Sequence, residues 1–106
     1  MSCNSGCFNL QVPSCGDPTI DVGLTPSTEY TVLIYKPGSG KDYSRKYTTD
    51  NTGKITIDHD EYPAGFFAPG FLNVVFYKDG TPAMFQKNNK YHNCILMQMV
   101  QTDTGE

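Results

Sequence analysis

Apolar and polar residues alternate with a period of two along most of this chain, in short runs separated by turn residues. Glu29 to Lys36 (EYTVLIYK) is the strongest run, β-branched and aromatic, with apolar residues on both faces from Val32 onward. Residues 42–49 predict a strand with Tyr43 and Tyr47 on one face and Ser44 and Lys46 on the other. KITID (54–58) turns Ile55 and Ile57 inward, and Asp50-Asn51-Thr52-Gly53 before it reads as a hairpin-type loop. FLNVVFY (71–77) predicts a central strand. Residues 83–86 predict a short one that Pro82 marks as an edge or a strand start. The last strand, 91–100, puts Met97 and Met99 on one face and Cys94, Leu96 and Val100 on the other. Residues 19–24 alternate as a half-buried strand. The connection HDEYPAGFFAPG (59–70) holds two prolines and two glycines and admits no regular element; Phe66 and Phe67 are expected to pin it to the sandwich edge.

No helical period competes with these runs, so the fold class is all-β. The expectation is a single antiparallel β-sandwich of about seven or eight short strands, immunoglobulin-like or fibronectin-type-III-like. Its bounds are an irregular Cys-containing N-terminal arm at 1–18, carrying at most a short strand at Phe8 to Val12, a sandwich at 19–101 and a polar tail at 102–106. A length of 106 residues fits one domain. With 7 Tyr and 6 Phe, each burying a large area, so short a chain still has a core. A formal net charge of -3 leaves no basic surplus for phosphates, which argues against nucleic-acid binding. The start, MSCNSGC, lacks the basic and apolar regions of a signal peptide, and no apolar run reaches membrane-spanning length. The expectation is a chain made in a cytosol, without a membrane partner, its cysteines initially reduced.

Few motifs carry chemistry. Leu24-Thr25-Pro26-Ser27-Thr28-Glu29-Tyr30 resembles the L-x-P-x-T-x-Y corner of fibronectin type III domains, where a Tyr hydroxyl bonds back to backbone; here it stands early in the chain, not late. Thr49-Asp50-Asn51-Thr52-Gly53-Lys54-Ile55-Thr56-Ile57 resembles hairpins of transthyretin-like and carboxypeptidase-regulatory-like sandwiches. Asp50 and Asn51 supply too few oxygens for Ca²⁺, so turn capping is the expected role. Cys3, Cys7, Cys15 and Cys94 admit three readings: a structural zinc, with His92 able to replace one thiolate, a disulfide, or free thiols with Cys94 in the core. Asp58-His59-Asp60-Glu61 reads as a solvated loop start. No nucleophile elbow, phosphate loop, dinucleotide fingerprint or HExxH occurs. A Cys94–His92 pair has poor geometry for proton transfer on one strand face, so no catalytic residue is assigned.

Aromatic and Met side chains carry the functional expectation instead. Not every tyrosine fits inside so small a sandwich, and exposed Tyr on strands suits a protein interface or a sugar-stacking platform. Candidate interface residues are Tyr35, Tyr43, Tyr47, Phe66, Phe67, Tyr77, Met97 and Met99. The two-sided last strand is expected to be either central or covered by a partner. A carbohydrate-binding or adhesion module, stacking sugars on Tyr43, Tyr47 and Tyr77, is the rival reading.

The segment order as a whole resembles small virion proteins of tailed bacteriophages infecting Bacteroidota, including crAss-like phages. The residues that carry it are the Cys-bearing start (Cys3, Cys7, Cys15), VGLTPSTEYTVLIY (22–35), YTTDNTGKITID (47–58), YPAGFFAPGFLNVVFY (62–77) and YHNCILMQMV (91–100). The resemblance implies a non-enzymatic auxiliary capsid, decoration or head–tail protein, present in many copies of an immunoglobulin-like sandwich. It implies a virion location after assembly in the host cytoplasm. The partners it implies are the major capsid, portal or tail proteins, or further copies of the chain. The arm at 1–18 and the loop at 59–70 are the contacts expected to reach neighbours.

Overall fold

The computed structural model describes residues 7–101. It is all-β. A large sheet has the order β1-β10-β6-β3-β4, formed by β1 (Phe8–Pro13), β10 (Ile95–Val100), β6 (Gly70–Lys78), β3 (Glu29–Lys36) and β4 (Lys41–Thr48), with β7 (Thr81–Pro82) paired to β6. Two small sheets join β2 (Thr19–Ile20) to β5 (Ile55–Thr56) and β8 (Phe85–Lys87) to β9 (Lys90–His92). The order β10-β6-β3-β4 is that of strands G-F-C-C′ in a variable-type immunoglobulin sheet.

Period-two alternation decides what the large sheet buries. Val32 and Ile34 of β3, Leu72, Val74 and Phe76 of β6, and Ile95, Met97 and Met99 of β10 all face inward. Ile20, Val22, Ile55, Ile57, Phe66, Phe67 and Phe85 close over them to make one contiguous core. Two hairpins follow from turn chemistry. Asp79 and Gly80 between β6 and β7, and Asn88 and Asn89 between β8 and β9, have positive φ at both loop positions. That is the type I′ geometry that matches strand twist, and Asn, Asp and Gly tolerate it best.

The corner before β3 forms as its motif predicts. Tyr30 is buried, and its hydroxyl accepts a hydrogen bond from the Thr25 backbone N–H at 3.2 Å. Buried Thr49 latches the same corner to the end of β4. Its Oγ1 donates to Thr25 O at 2.6 Å and accepts from Thr28 N at 2.9 Å. Asp50 caps the next turn, its Oδ1 accepting from Thr52 N, Thr52 Oγ1 and Lys54 N at 2.8, 2.7 and 3.0 Å. Those donors favour the charged form and hold the carboxyl down at about 2. The Ca²⁺ alternative therefore loses to capping: Asp50 is committed to its own turn.

Three expectations are corrected. The short strand foreseen at Phe8 to Val12 forms, over Phe8–Pro13. That strand runs parallel to β10, so the sheet is mixed rather than purely antiparallel; a parallel partner is possible because 81 residues of intervening chain make the crossover, from Pro13 to Ile95. The turn at 50–53 does not close a hairpin. β5 pairs with β2, and the turn carries the chain from the large sheet to a small one. The run at 91–100 breaks at Asn93-Cys94, where β9 leaves its hairpin and β10 enters the large sheet. Calls on residues 1–6 and 102–106 lie outside the described residues.

Gly53 is the position least open to change. Its φ is +87°, and a Cβ there would stand 2.3 Å from the Leu24 carbonyl oxygen, which is backbone and cannot swing away. Gly53→Ala should cost about 3 kcal/mol or more, read by urea unfolding. Tyr30→Phe removes only the bond to Thr25 and should cost about 1 kcal/mol. Equal losses for the two variants would mean that the close approach of Gly53 to Leu24 is not what holds this corner.

Candidate functional site

The alternation that fills the core leaves a second set of side chains on the opposite face of the large sheet. Strand register arranges them in rows. Leu33 pairs with Val75 and with Ser44. One row over, Tyr35 pairs with Asn73 and with Asp42, and Asn73 pairs in turn with Leu96. On the other side, Thr31 pairs with Tyr77 and with Lys46, and Tyr77 pairs with Pro82. Leu33, Tyr35, Val75, Tyr77, Leu96 and Val100 are each half-buried, and Phe71 is 51% exposed. The buried apolar residues of the two small sheets, Ile20, Ile55 and Phe85, belong to the core on the other face. Phe71 lies beside Gln98, and Gln11 reaches Gln98 from the edge strand, so the β1 margin is polar.

The eight sequence candidates divide between the two faces. Tyr35 and Tyr77 stand on this outer face. Met97 and Met99 do not: they are 0% and 2% exposed and belong to the core. Phe66 and Phe67 are buried too, at 4% and 7%. Tyr43 and Tyr47 lie opposite Ile34 and Tyr30 on the inward side of β4 and are half-buried. Tyr43, Tyr62, Phe66 and Phe67 instead form an aromatic cluster with centroids 5.0 to 5.7 Å apart. The Arg45 guanidinium covers it, 5.5 Å from the Tyr62 ring and 5.7 Å from Tyr43, and donates to Glu61 O at 3.3 Å. Burial pushes the Tyr47 and Tyr62 hydroxyls up from the usual phenol range; the two lie 3.1 Å apart. This cluster pins the 59–70 loop from within, so Phe66 and Phe67 are not available to a neighbour. The sugar platform is corrected on the same ground: Tyr43 and Tyr47 face inward and Tyr77 outward, so the three share no plane.

Cys7 and Cys94 form a disulfide across the parallel β1–β10 pair. Bridged sulfurs are not thiolates, so the four-cysteine zinc set is not assembled. Cys3 lies outside the described residues, and Cys15 is exposed. His92 is buried and stacks on Phe85 at 5.5 Å, with Phe8 edge-on at 5.6 Å. The Cys94–His92 pair therefore offers neither a nucleophile nor a metal ligand pair.

The acidic start at 58–61 gains a partner that local sequence does not show. Asp17, 42 residues upstream, hydrogen-bonds the His59 ring through Nδ1 and accepts from the His59 backbone N–H at 3.1 Å. Asp60 lies 3.2 Å from Nε2. Asp58 Oδ1 accepts from Asp60 N at 3.0 Å, capping a 3-10 turn at His59–Glu61. The donor atoms of Asp17, Asp58 and His59 lie within 4.8 Å of one another, all on exposed residues. They form a surface clamp between the β1–β2 connection and the 59–70 loop, to which Asp17 and Asp58 each contribute Oδ1 as an acceptor. Beside it, Ser14, Gly16, Tyr62, Pro63 and Phe67 line an open depression of about 480 Å³.

Among the described residues no helix is long and apolar enough to cross a membrane. Comparison with protein-family models, with curated proteins and with solved structures finds no match to the chain.

Two outcomes follow from this geometry. The disulfide closes a loop with a sequence separation of 87, so reduction, or Cys7→Ser with Cys94→Ser, should remove about 4 kcal/mol of stability. Hydrogen exchange should rise first in β1. An unfolding midpoint unmoved by reductant would mean that the two thiols are not bridged in solution. The clamp sets a pH dependence. The hydrogen bond to Asp17 raises the His59 pKa, so its contribution is complete below the unfolded value of about 6.5 and is lost as pH rises through the folded one. The same bond lowers Asp17, whose contribution is complete above about 3.9 and is lost as pH falls through its depressed folded value. Tm should therefore decline as pH rises from 6 to 8, and His59→Gln should flatten that slope. An equal slope in both proteins would exclude the clamp as its source.

Proposed function

We propose that this protein is a non-enzymatic structural component that works by burying the outer face of its large sheet against neighbouring proteins. The carrying observation is the row set Leu33–Val75, Tyr35, Tyr77 and Leu96, with Phe71 at 51% exposure, on the sheet face opposite the core. An apolar centre containing Tyr, with polar margins at Gln11, Gln98 and Asn9, has the composition of a protein interface core and rim. A sheet face of this breadth suits a broad partner, and it carries a depression of about 320 Å³ between Asn9, Gln11, Phe71, Leu96 and Gln98.

The setting we propose is a virion, as an auxiliary capsid or head–tail protein contacting capsid, portal or tail proteins. The resemblance of the five segments named above supports this setting. The Cys7–Cys94 bridge is compatible with it, because disulfides persist on virion surfaces and in other oxidising surroundings but not in a reducing cytosol. On this reading the bridge closes after particles leave the host cytoplasm.

The test uses the central outer-face residue. Purified particles of the encoding phage should contain the protein by mass spectrometry. Leu33→Lys should keep the wild-type fold by circular dichroism, since Leu33 is outside the core, and should lower its copy number in particles at least tenfold. Absence of the wild-type protein from particles would remove the virion setting. Undiminished incorporation of Leu33→Lys would move the contact off this face.

A further inference from the structure

We infer that the outer face is self-complementary and takes a second copy of this chain, related by a twofold axis lying across the strands through Leu33 and Val75. This rests on the reading of that face as a protein interface and names its occupant. The argument comes from the register alone. The Leu33 row, Ser44–Leu33–Val75, lies midway between two flanking rows. One flank reads Asp42–Tyr35–Asn73–Leu96 and the other Lys46–Thr31–Tyr77–Pro82, both from the β4 edge inward. A twofold axis along the middle row lays each flank of one copy on the opposite flank of the other. Isologous contacts of this kind occur in pairs, i with j and j with i.

Each superposed pair then matches. Asp42 meets Lys46, opposite charges at an exposed margin. Tyr35 meets Thr31, a ring against a small β-branched side chain. Asn73 meets Tyr77, an amide against a phenol hydroxyl. Leu96 meets Pro82, apolar against apolar. Leu33 and Val75 meet their own copies near the axis. Neither Asp42 nor Lys46 forms an ion pair within the chain among the described residues. The alternative twofold, parallel to the strands, would instead lay the charged β4 margin over the Gln98 side of the sheet and leave Lys46 and Asp42 without partners. Facing sheets cross at about 30°, which displaces the β4 margin by a few ångströms; the long Lys46 side chain spans that offset.

The footprint sets the strength. Four strands about 4.8 Å apart, over the length of the three rows and their neighbours, give roughly 400 Å² of plane per copy. That is below the roughly 800 Å² per partner of standard interfaces, so the dimer is a weak, transient one.

Sedimentation equilibrium from about 10 μM to 1 mM at low salt tests it. Wild-type protein should show a concentration-dependent monomer–dimer equilibrium. Asp42→Lys alone, or Lys46→Asp alone, places like charges at both symmetry-related contacts along the β4 margin and should weaken it about tenfold. The double variant Asp42→Lys with Lys46→Asp restores opposite charges and should return the wild-type Kd. Both positions are exposed, and circular dichroism confirms that each variant is folded. A strictly monomeric wild type, or a dimer whose Kd ignores the single reversals, or one that the double variant fails to rescue, would overturn the proposal. A monomer that still enters particles, and loses that ability with Leu33→Lys, would reject the second copy while leaving the assembly reading in place.

Discussion

The register of β6 between β3 and β10 decides everything else in this fold. Side chains on a strand alternate faces, so a slip of one residue would exchange the two sets. The register that buries Val74 and Phe76 beside Val32, Ile34 and Ile95 also forces Val75 and Tyr77 outward beside Leu33 and Thr31. Both sets are rich in β-branched and aromatic residues, so hydrophobicity alone does not choose between them. What chooses is size and fit. Phe76 packs edge-on to Tyr30 at 6.2 Å and to Phe85 at 6.2 Å, which the smaller Val75 would not do. Core and outer face are therefore not separate designs. They are two faces of one pairing.

Everything outside that ladder serves to hold it in one register. The corner at Thr25 to Tyr30 fixes where β3 begins, through one hydroxyl on a backbone N–H and the Thr49 latch. The Cys7–Cys94 bridge does the same for β1, an edge strand that pairs on one side only. Its parallel pairing begins at Phe8 N on Cys94 O, 2.9 Å, beside the bridge itself, and ends at Ser14 N on Val100 O, 2.8 Å. The opposite edge, β4, is protected differently. Lys41, Asp42, Arg45 and Lys46 charge it, which discourages edge-to-edge pairing with other chains. Polar devices sit at the ends and margins of the sheet, and apolar ones at its centre.

Much of this was legible in the residues. Alternation located the strands, and the L-x-P-x-T-x-Y spacing located the corner. The candidate surface was half legible. The faces of β10 were separated correctly, Met97 and Met99 from Leu96 and Val100, but nothing local says which face a neighbouring layer covers. The Met pair became core because Ile20, Ile55 and Phe85 arrive over it from distant segments. The same limit hid the clamp: His59 shows no partner until a chain reversal delivers Asp17. β1 was legible as a short strand, but its parallel partner and its bridge come from a distant segment. Local pattern resolves elements and faces; long-range pairing assigns the roles.

A self-complementary face has a consequence for assembly. If the same surface serves both the free dimer and the contact inside a larger particle, the two uses compete, and a tight dimer would block incorporation. The small footprint and marginal charges favour a weak one, so copies exchange. Weak contacts also suit a component present many times, because an array gains its stability from the number of simultaneous contacts rather than from any one of them. If the dimer itself persists in the particle, contacts to other proteins must fall elsewhere. The exposed apolar side chains off this face are Met84 at 51% and Tyr91 at 44%, on and beside the β8–β9 hairpin. In the sheet order that hairpin pairs only with itself, with Phe85 and His92 buried and Gln86, Lys90 and Tyr91 exposed, so it offers apolar surface beside strand backbone.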